Sequence, residues 1–212
     1  MSATKEQINR FLSDPDYLSL VELEREQRLL FITDISETRV SALLAWLFRP
    51  YEGHGLGDQA FRELLLSAWR HVQTEELAVS AEPPTPTRLL NRSFRELLVE
   101  TEYQVEKPKG RGKGRAIDLL LVSRQHKLVV GVENKFGSTV HNDQLKAYRE
   151  GLKKQFPDYE LVLIYLDSNE ENKPDDADWI PLSYQWILTL IESRQRSGLL
   201  SARALDALTQ FR

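Results

Sequence analysis

Between Arg115 and Lys135 two apolar runs flank a short polar turn, and both carry charge where a buried strand should carry none. The first run is Arg115-Ala-Ile-Asp-Leu-Leu-Leu-Val122 and the second is Lys127-Leu-Val-Val-Gly-Val-Glu-Asn-Lys135, with Ser123-Arg124-Gln125-His126 between them. Apolar, β-branched segments separated by a polar turn predict a β-hairpin. Asp118, Glu133 and Lys135 break its apolar character, and charged side chains are almost never fully buried unless paired or metal-bound. Alternation along a strand puts Glu133 and Lys135 on one face and Asn134 on the other. If Asp118 shares the face of Glu133, two carboxylates and an ammonium converge. Paired carboxylates suit a hard divalent cation such as Mg²⁺, with Mn²⁺ as a substitute. The lysine can then orient an attacking water or neutralise charge developing on a phosphoryl group.

The rest of the chain supplies a frame for this hairpin. From Leu97 to Glu106 the residues alternate, which predicts a half-buried strand with Leu97, Val99, Thr101, Tyr103 and Val105 on one face. Glu102 lies on the opposite, solvated face. Leu161–Leu166 is an uninterrupted apolar run, as expected of a strand covered on both sides, and Trp179-Ile180-Pro181-Leu182 reads as a short final strand. Helical periodicity covers Val40–Leu47, Phe61–Val72, Leu145–Leu152, Trp186–Ile191 and Leu200–Phe211. Ser36, Asp58 and Ser183 stand where N-caps are expected. Residues 1–30 are mostly polar, with a break at Asp14-Pro15-Asp16 and a solvated helix face over Val21–Leu30. Pro83, Pro84 and Pro86 mark an extended connection. His54, in the Gly55/Gly57 turn, reads as a turn-stabilising side chain rather than a general base.

Charge is distributed unevenly. Lys107, Lys109, Arg111, Lys113 and Arg115 place five positive charges among three glycines in nine residues, directly before the strand that carries Asp118. Such a loop is suited to contacts with a nucleic-acid backbone. Asp167–Asp178 holds six acidic residues and one lysine, and reads as a solvated loop that turns nucleic acid away from its side. The net charge of −4 excludes a wholly basic coat but not a local basic surface. The absence of cysteine excludes disulfides and thiolate chemistry. No apolar run approaches the ~18 residues of a membrane span and no signal-peptide core is evident, so a cytoplasmic, membrane-free protein is expected. At 212 residues one domain is expected, with a helical section over 1–77 packed on a core over 95–212. The composition leaves a homodimer open.

Asp118, followed by Glu133-Asn134-Lys135, resembles the active-site signature of the PD-(D/E)XK nuclease superfamily, which includes restriction endonucleases, RecB-type nucleases and Holliday-junction resolvases. The apolar strand setting, a downstream Gln144-Leu145…Tyr148 and an upstream helix carrying Glu37 extend the resemblance. Ile117 stands where the motif's proline would precede the acid. The resemblance implies an α/β (α+β) fold with a restriction-endonuclease-like core, a central mixed β-sheet flanked by helices. It implies a Mg²⁺-dependent phosphodiesterase, endonuclease or exonuclease, acting most naturally on DNA. Asp118, Glu133 and Glu37 become the expected metal ligands, with Lys135 and Gln144 completing the catalytic set. Two other readings stand beside this one. One is a catalytically silent module that keeps the fold and binds nucleic acid or protein; the other is a hydrolase for a small phosphodiester.

Overall fold

The computed structural model describes residues 37–105, 115–135, 144–167 and 173–198. The chain divides into two compact units, Met1–Ile35 and Ser36–Arg212, and every described residue belongs to the second. The expected helices before Ser36 and after Gly198, the cap Ser36, and Lys107, Lys109, Arg111 and Lys113 lie outside the described residues.

Five strands form one sheet in sequence order: β1 (Leu98–Val105), β2 (Arg115–Ser123), β3 (Leu128–Lys135), β4 (Glu160–Asp167) and β5 (Trp179–Leu182). β1, β2 and β3 run antiparallel as a meander; β3, β4 and β5 run parallel. The sheet is therefore mixed, with β3 joining its two halves. Antiparallel neighbours need only a tight turn, here Arg124–Lys127 with Lys127 in a left-handed conformation. Parallel β3 and β4 require a crossover, supplied by the helix Gln144–Gln155 (called α4 below). Every residue of β3 is buried, which explains its unbroken apolar run.

Helices cover both faces. On one lie α1 (Glu37–Phe48), α2 (Gln59–Thr74), the short α3 (Pro86–Leu90) and α5 (Gln185–Arg196), whose apolar stripes meet Leu119, Leu121, Val130, Val132 and Ile164. On the other, α4 sets Leu145, Tyr148 and Leu152 against Ile117, Val129, Leu163 and Trp179. Gly131 makes the close approach of α4 workable: a Cβ there would sit 3.0–3.1 Å from Ile117, Leu152 and Leu163 methyls. No helix among the described residues is long and apolar enough to cross a membrane.

Several local expectations are corrected. The alternation of β1 does not run through. Val99 packs on the α1 side of the sheet, while Tyr103 and Val105 pack on the α4 side. The reversal occurs at Glu102, whose φ of 51° is left-handed, a conformation costly for a residue with a Cβ. β2 reverses at the facing position: Leu119 lies on the α1 side and Ile117 on the α4 side. Thr101 pairs with Leu119 and Tyr103 with Ile117, while Glu102 and Asp118 between them drop out of the ladder. Asp58 makes no side-chain cap for α2. Its carboxylate instead accepts from Arg62, at 3.0 and 3.1 Å, and from the Phe94 amide at 2.8 Å. The acidic loop is not wholly solvated, since Asp176 and Asp178 pair with Arg149 on α4 at 2.8 and 3.3 Å.

Candidate active site

The carboxyl end of β3, together with the first residues of α1 and α4, gathers the charged side chains. Beyond Leu119 and Val132 the β2–β3 ladder stops. There the Asp118 carboxylate takes over: its Oδ2 accepts the Asn134 backbone N–H at 2.7 Å. Glu133 is only 2 % exposed. Its Oε1 accepts from Lys135 Nζ at 3.1 Å and from Gln144 Nε2 at 3.1 Å. Its Oε2 is buried and has no hydrogen-bond partner among the described residues. Lys135 also donates to Glu37 Oε1 at 2.7 Å, so its ammonium bridges a strand carboxylate and a helix carboxylate.

Gln144, first residue of α4, also donates to the Tyr148 hydroxyl at 2.8 Å. That hydroxyl donates to the carbonyl of Ala116, two residues before Asp118. The i, i+4 spacing of Gln144 and Tyr148 puts them on one helix face, and the pair ties α4 to both acid-bearing strands. Asp118, Glu133, Lys135, Glu37 and Gln144 therefore occupy one site. Arg115 begins β2, and the other four basic candidates lie outside the described residues.

The electrostatics are those of a strained acidic pair. Burial pushes the Asp118 carboxyl up to about 6, against the Asn134 amide and the Lys135 charge, with Glu37 and Glu102 adding to the rise. Burial, reinforced by the charge of Asp118, pushes Glu133 up to about 7, although Lys135 opposes it. Burial works against the Lys135 ammonium, but Glu133, Glu37 and Asp118 outweigh it and hold the lysine protonated well above its ordinary range. Burial, then the Glu133 charge, raises Tyr148 beyond the reach of ordinary pH, so it stays a neutral hydroxyl.

These residues fit a cation through Asp118 and Glu133. A buried carboxylate oxygen without a partner, beside a second carboxylate that repels it, is the arrangement a divalent ion would complete. Glu37 meets Lys135 through its Oε1. Among the described residues no three His, Cys, Asp or Glu side chains converge closely enough to hold one ion.

Other parts of the site were not singled out in the sequence. Asp167, only 4 % exposed, lies beside Lys135 in the parallel register and ends β4 rather than opening a solvated loop. Its signal was its place at the end of an apolar run. It also lines a cavity of about 990 Å³ with Arg70, His71, Lys173 and Trp186, but Asp118, Glu133 and Lys135 do not. Ser41, Asn134 and Tyr184 form a polar network on the α1 face, which alternation along β3 predicts for Asn134 but not for its partners. His54 is structural, accepting the Leu56 N–H at 3.0 Å and lying 2.9 Å from the Arg49 carbonyl.

Residues 28–208 match the PD-(D/E)XK nuclease superfamily, and the chain belongs to it. Its members generally hydrolyse phosphodiester bonds, and typically do so with divalent metals. No curated protein and no solved structure gives a match.

Proposed function

We propose that the protein is a divalent-metal-dependent nuclease that hydrolyses phosphodiester bonds in DNA. The observation that carries this reading is the state of Glu133: one oxygen is held by Lys135 and Gln144, while the other is buried beside Asp118 without a partner among the described residues. A silent scaffold would have no reason to retain this buried charge, since an apolar replacement is often neutral or stabilising.

Asp118 and Glu133 would hold the ion, Mg²⁺ or Mn²⁺. When bound, it supplies Lewis-acid polarisation of a phosphoryl oxygen. Gln144 fixes the rotamer of Glu133, so that Oε2 rather than Oε1 is presented. Lys135 keeps its proton throughout, because three carboxylates outweigh its burial. Its ammonium is placed to orient the attacking water and to offset negative charge as it develops on the phosphoryl group. Glu37 holds that ammonium in register with Glu133. The glycine-rich basic segment between β1 and β2 supports a polymeric substrate over a small phosphodiester.

Supercoiled plasmid and linear duplex incubated with Mg²⁺, Mn²⁺ or EDTA test this. Cleavage with either metal, abolished by EDTA and by Glu133→Gln, is expected. Cleavage that Glu133→Gln leaves at the parent level would assign it to a contaminant and overturn the reading.

A further inference from the structure

Asn134 is the middle residue of the Glu-x-Lys segment, and its side chain points away from Glu133 and Lys135. It is completely buried. Its Nδ2 donates to the Glu37 carbonyl at 3.2 Å and to Ser41 Oγ at 2.9 Å, and its Oδ1 accepts the Tyr184 hydroxyl. Its backbone N–H is the donor that holds Asp118. One residue therefore fixes Asp118 through its main chain and the start of α1 through its side chain.

The chemistry of that position is narrow. Two donors and one acceptor are used in a fully buried setting, and a terminal amide at this length supplies all three. Aspartate would turn a carboxylate toward the Glu37 carbonyl, leucine would satisfy no partner, and glutamine would add a methylene to a packed interface. Glu37 and Ser41 are one helical turn apart, so both lie above the same point of the sheet. The amide thus grips the helix at the turn from which the Glu37 carboxylate reaches Lys135.

We propose that Asn134 is a positioning residue: it clamps the first turn of α1 so that the Glu37 carboxylate meets the Lys135 ammonium. The effect on catalysis rests on the nuclease reading given above; the clamp itself does not. Displacements near 1 Å suffice to cost large factors in rate, and here the element displaced is a helix end tied to the site by few bonds.

Two measurements test it. The first is local amide hydrogen exchange in the metal-free protein, over Ser41–Leu44, whose N–H groups are the first in α1 with intrahelical acceptors. Asn134→Ala should speed exchange there by about tenfold or more while α2 is little changed. Tyr184→Phe, a milder change, should act in the same direction and at the same place. Equal acceleration in α1 and α2, or none in α1, overturns the clamp.

The second is a double-mutant cycle with Glu37→Gln, read in kcat and KM for DNA cleavage. Asn134→Ala should lower kcat by about tenfold or more in the parent, but by less than about twofold when Glu37 is already Gln. Factors that simply multiply would show that Asn134 does not act through Glu37. If the parent itself cleaves no DNA, the nuclease reading falls, and exchange still decides the clamp.

Discussion

Lys135 Nζ and Glu37 Oε1 lie 2.7 Å apart although 98 positions separate them in sequence. The contact makes the motif lysine the joint between sheet and helix as well as a charge in the site. Because Glu133 shares the same ammonium at 3.1 Å, removing any one member changes the balance for the other two. The consequences differ by residue, and they can be measured separately.

Lys135→Ala deletes the ammonium that bonds both Glu37 and Glu133. The metal-free protein should lose ~1–3 kcal/mol, the usual cost of leaving a buried polar group without its partner, because the carboxylate that loses its counter-charge can take up a proton instead. Mg²⁺ should still bind, because Asp118 and Glu133 remain. Cleavage should fall by ~10²–10³-fold, the usual loss when a preorganised donor to a developing charge is removed. Calorimetric Mg²⁺ titration beside a plasmid assay checks both halves; lost Mg²⁺ binding would make Lys135 a folding residue rather than a catalytic one.

Asp118→Asn should behave in the opposite sense. It removes one of two mutually repelling carboxylates, since Glu133 is raised first by its burial and then by the charge of Asp118. The metal-free protein should therefore melt at the same temperature or higher, while Mg²⁺ affinity and cleavage are lost. A clearly lower melting temperature would mean that the bond from Asn134 to Asp118 Oδ2 matters more to stability than the repulsion does.

The pH dependence follows from the same pair. Asp118 rises from 3.8 to about 6 and Glu133 from 4.5 to about 7, so the folded state binds protons that the unfolded chain has released. For a raised carboxyl, this stability is fully present below the unfolded value and is lost as pH climbs through the folded one. The parent should lose stability relative to an Asp118→Asn/Glu133→Gln variant as pH rises from about 4 to about 7, and little further above that. Comparison with the variant is needed because buried His54, whose pKa burial lowers, favours stability in the opposite direction. Mg²⁺ should raise the parent's melting temperature more at the alkaline end, where protons no longer compete for the carboxylates. Parallel curves for parent and variant would refute the raised values.

What was legible in the sequence is what strand periodicity encodes. Glu133 and Lys135 share a face because they are two apart, and Asn134 faces the other way for the same reason. Apolar runs and helical stripes marked individual strands and helices, while the mixed sheet flanked by helices was what the Asp118…Glu133-Asn134-Lys135 resemblance implied. Period alone could not show where the alternation reverses. Glu102 is an ordinary residue for a strand, and nothing local marks it as left-handed; the reversal opposite Asp118 exists only once β1 and β2 are paired. The long-range partners were equally hidden. Ser41 and Tyr184 read as a helix serine and a residue after a strand until α1 and the Tyr184 segment meet at Asn134. Asp176 and Asp178 looked solvated because Arg149 is far away in sequence.

The basic segment offers the test of substrate. It joins the end of β1 to the start of β2, and Asp118 follows three residues after Arg115, the first residue of β2. Any nucleic-acid backbone held by Arg111 and Lys113 would thus lie close in sequence to the acidic strand. Each phosphate contact releases counterions, so affinity falls with salt at a slope of roughly 0.9 per contact for duplex DNA. Arg111→Ala with Lys113→Ala should weaken binding of unrelated duplexes alike and reduce that slope by about 1 to 2. The substitutions leave Asp118, Glu133 and Lys135 in place. At DNA concentrations that saturate both proteins, the cleavage rate should therefore return toward the parent value. Filter binding across a salt series, with Ca²⁺ replacing Mg²⁺ to suppress hydrolysis, measures the first effect; saturating cleavage measures the second. An unchanged slope would move the DNA path away from this segment, and a defect that persists at saturation would give its charges a part in the chemical step.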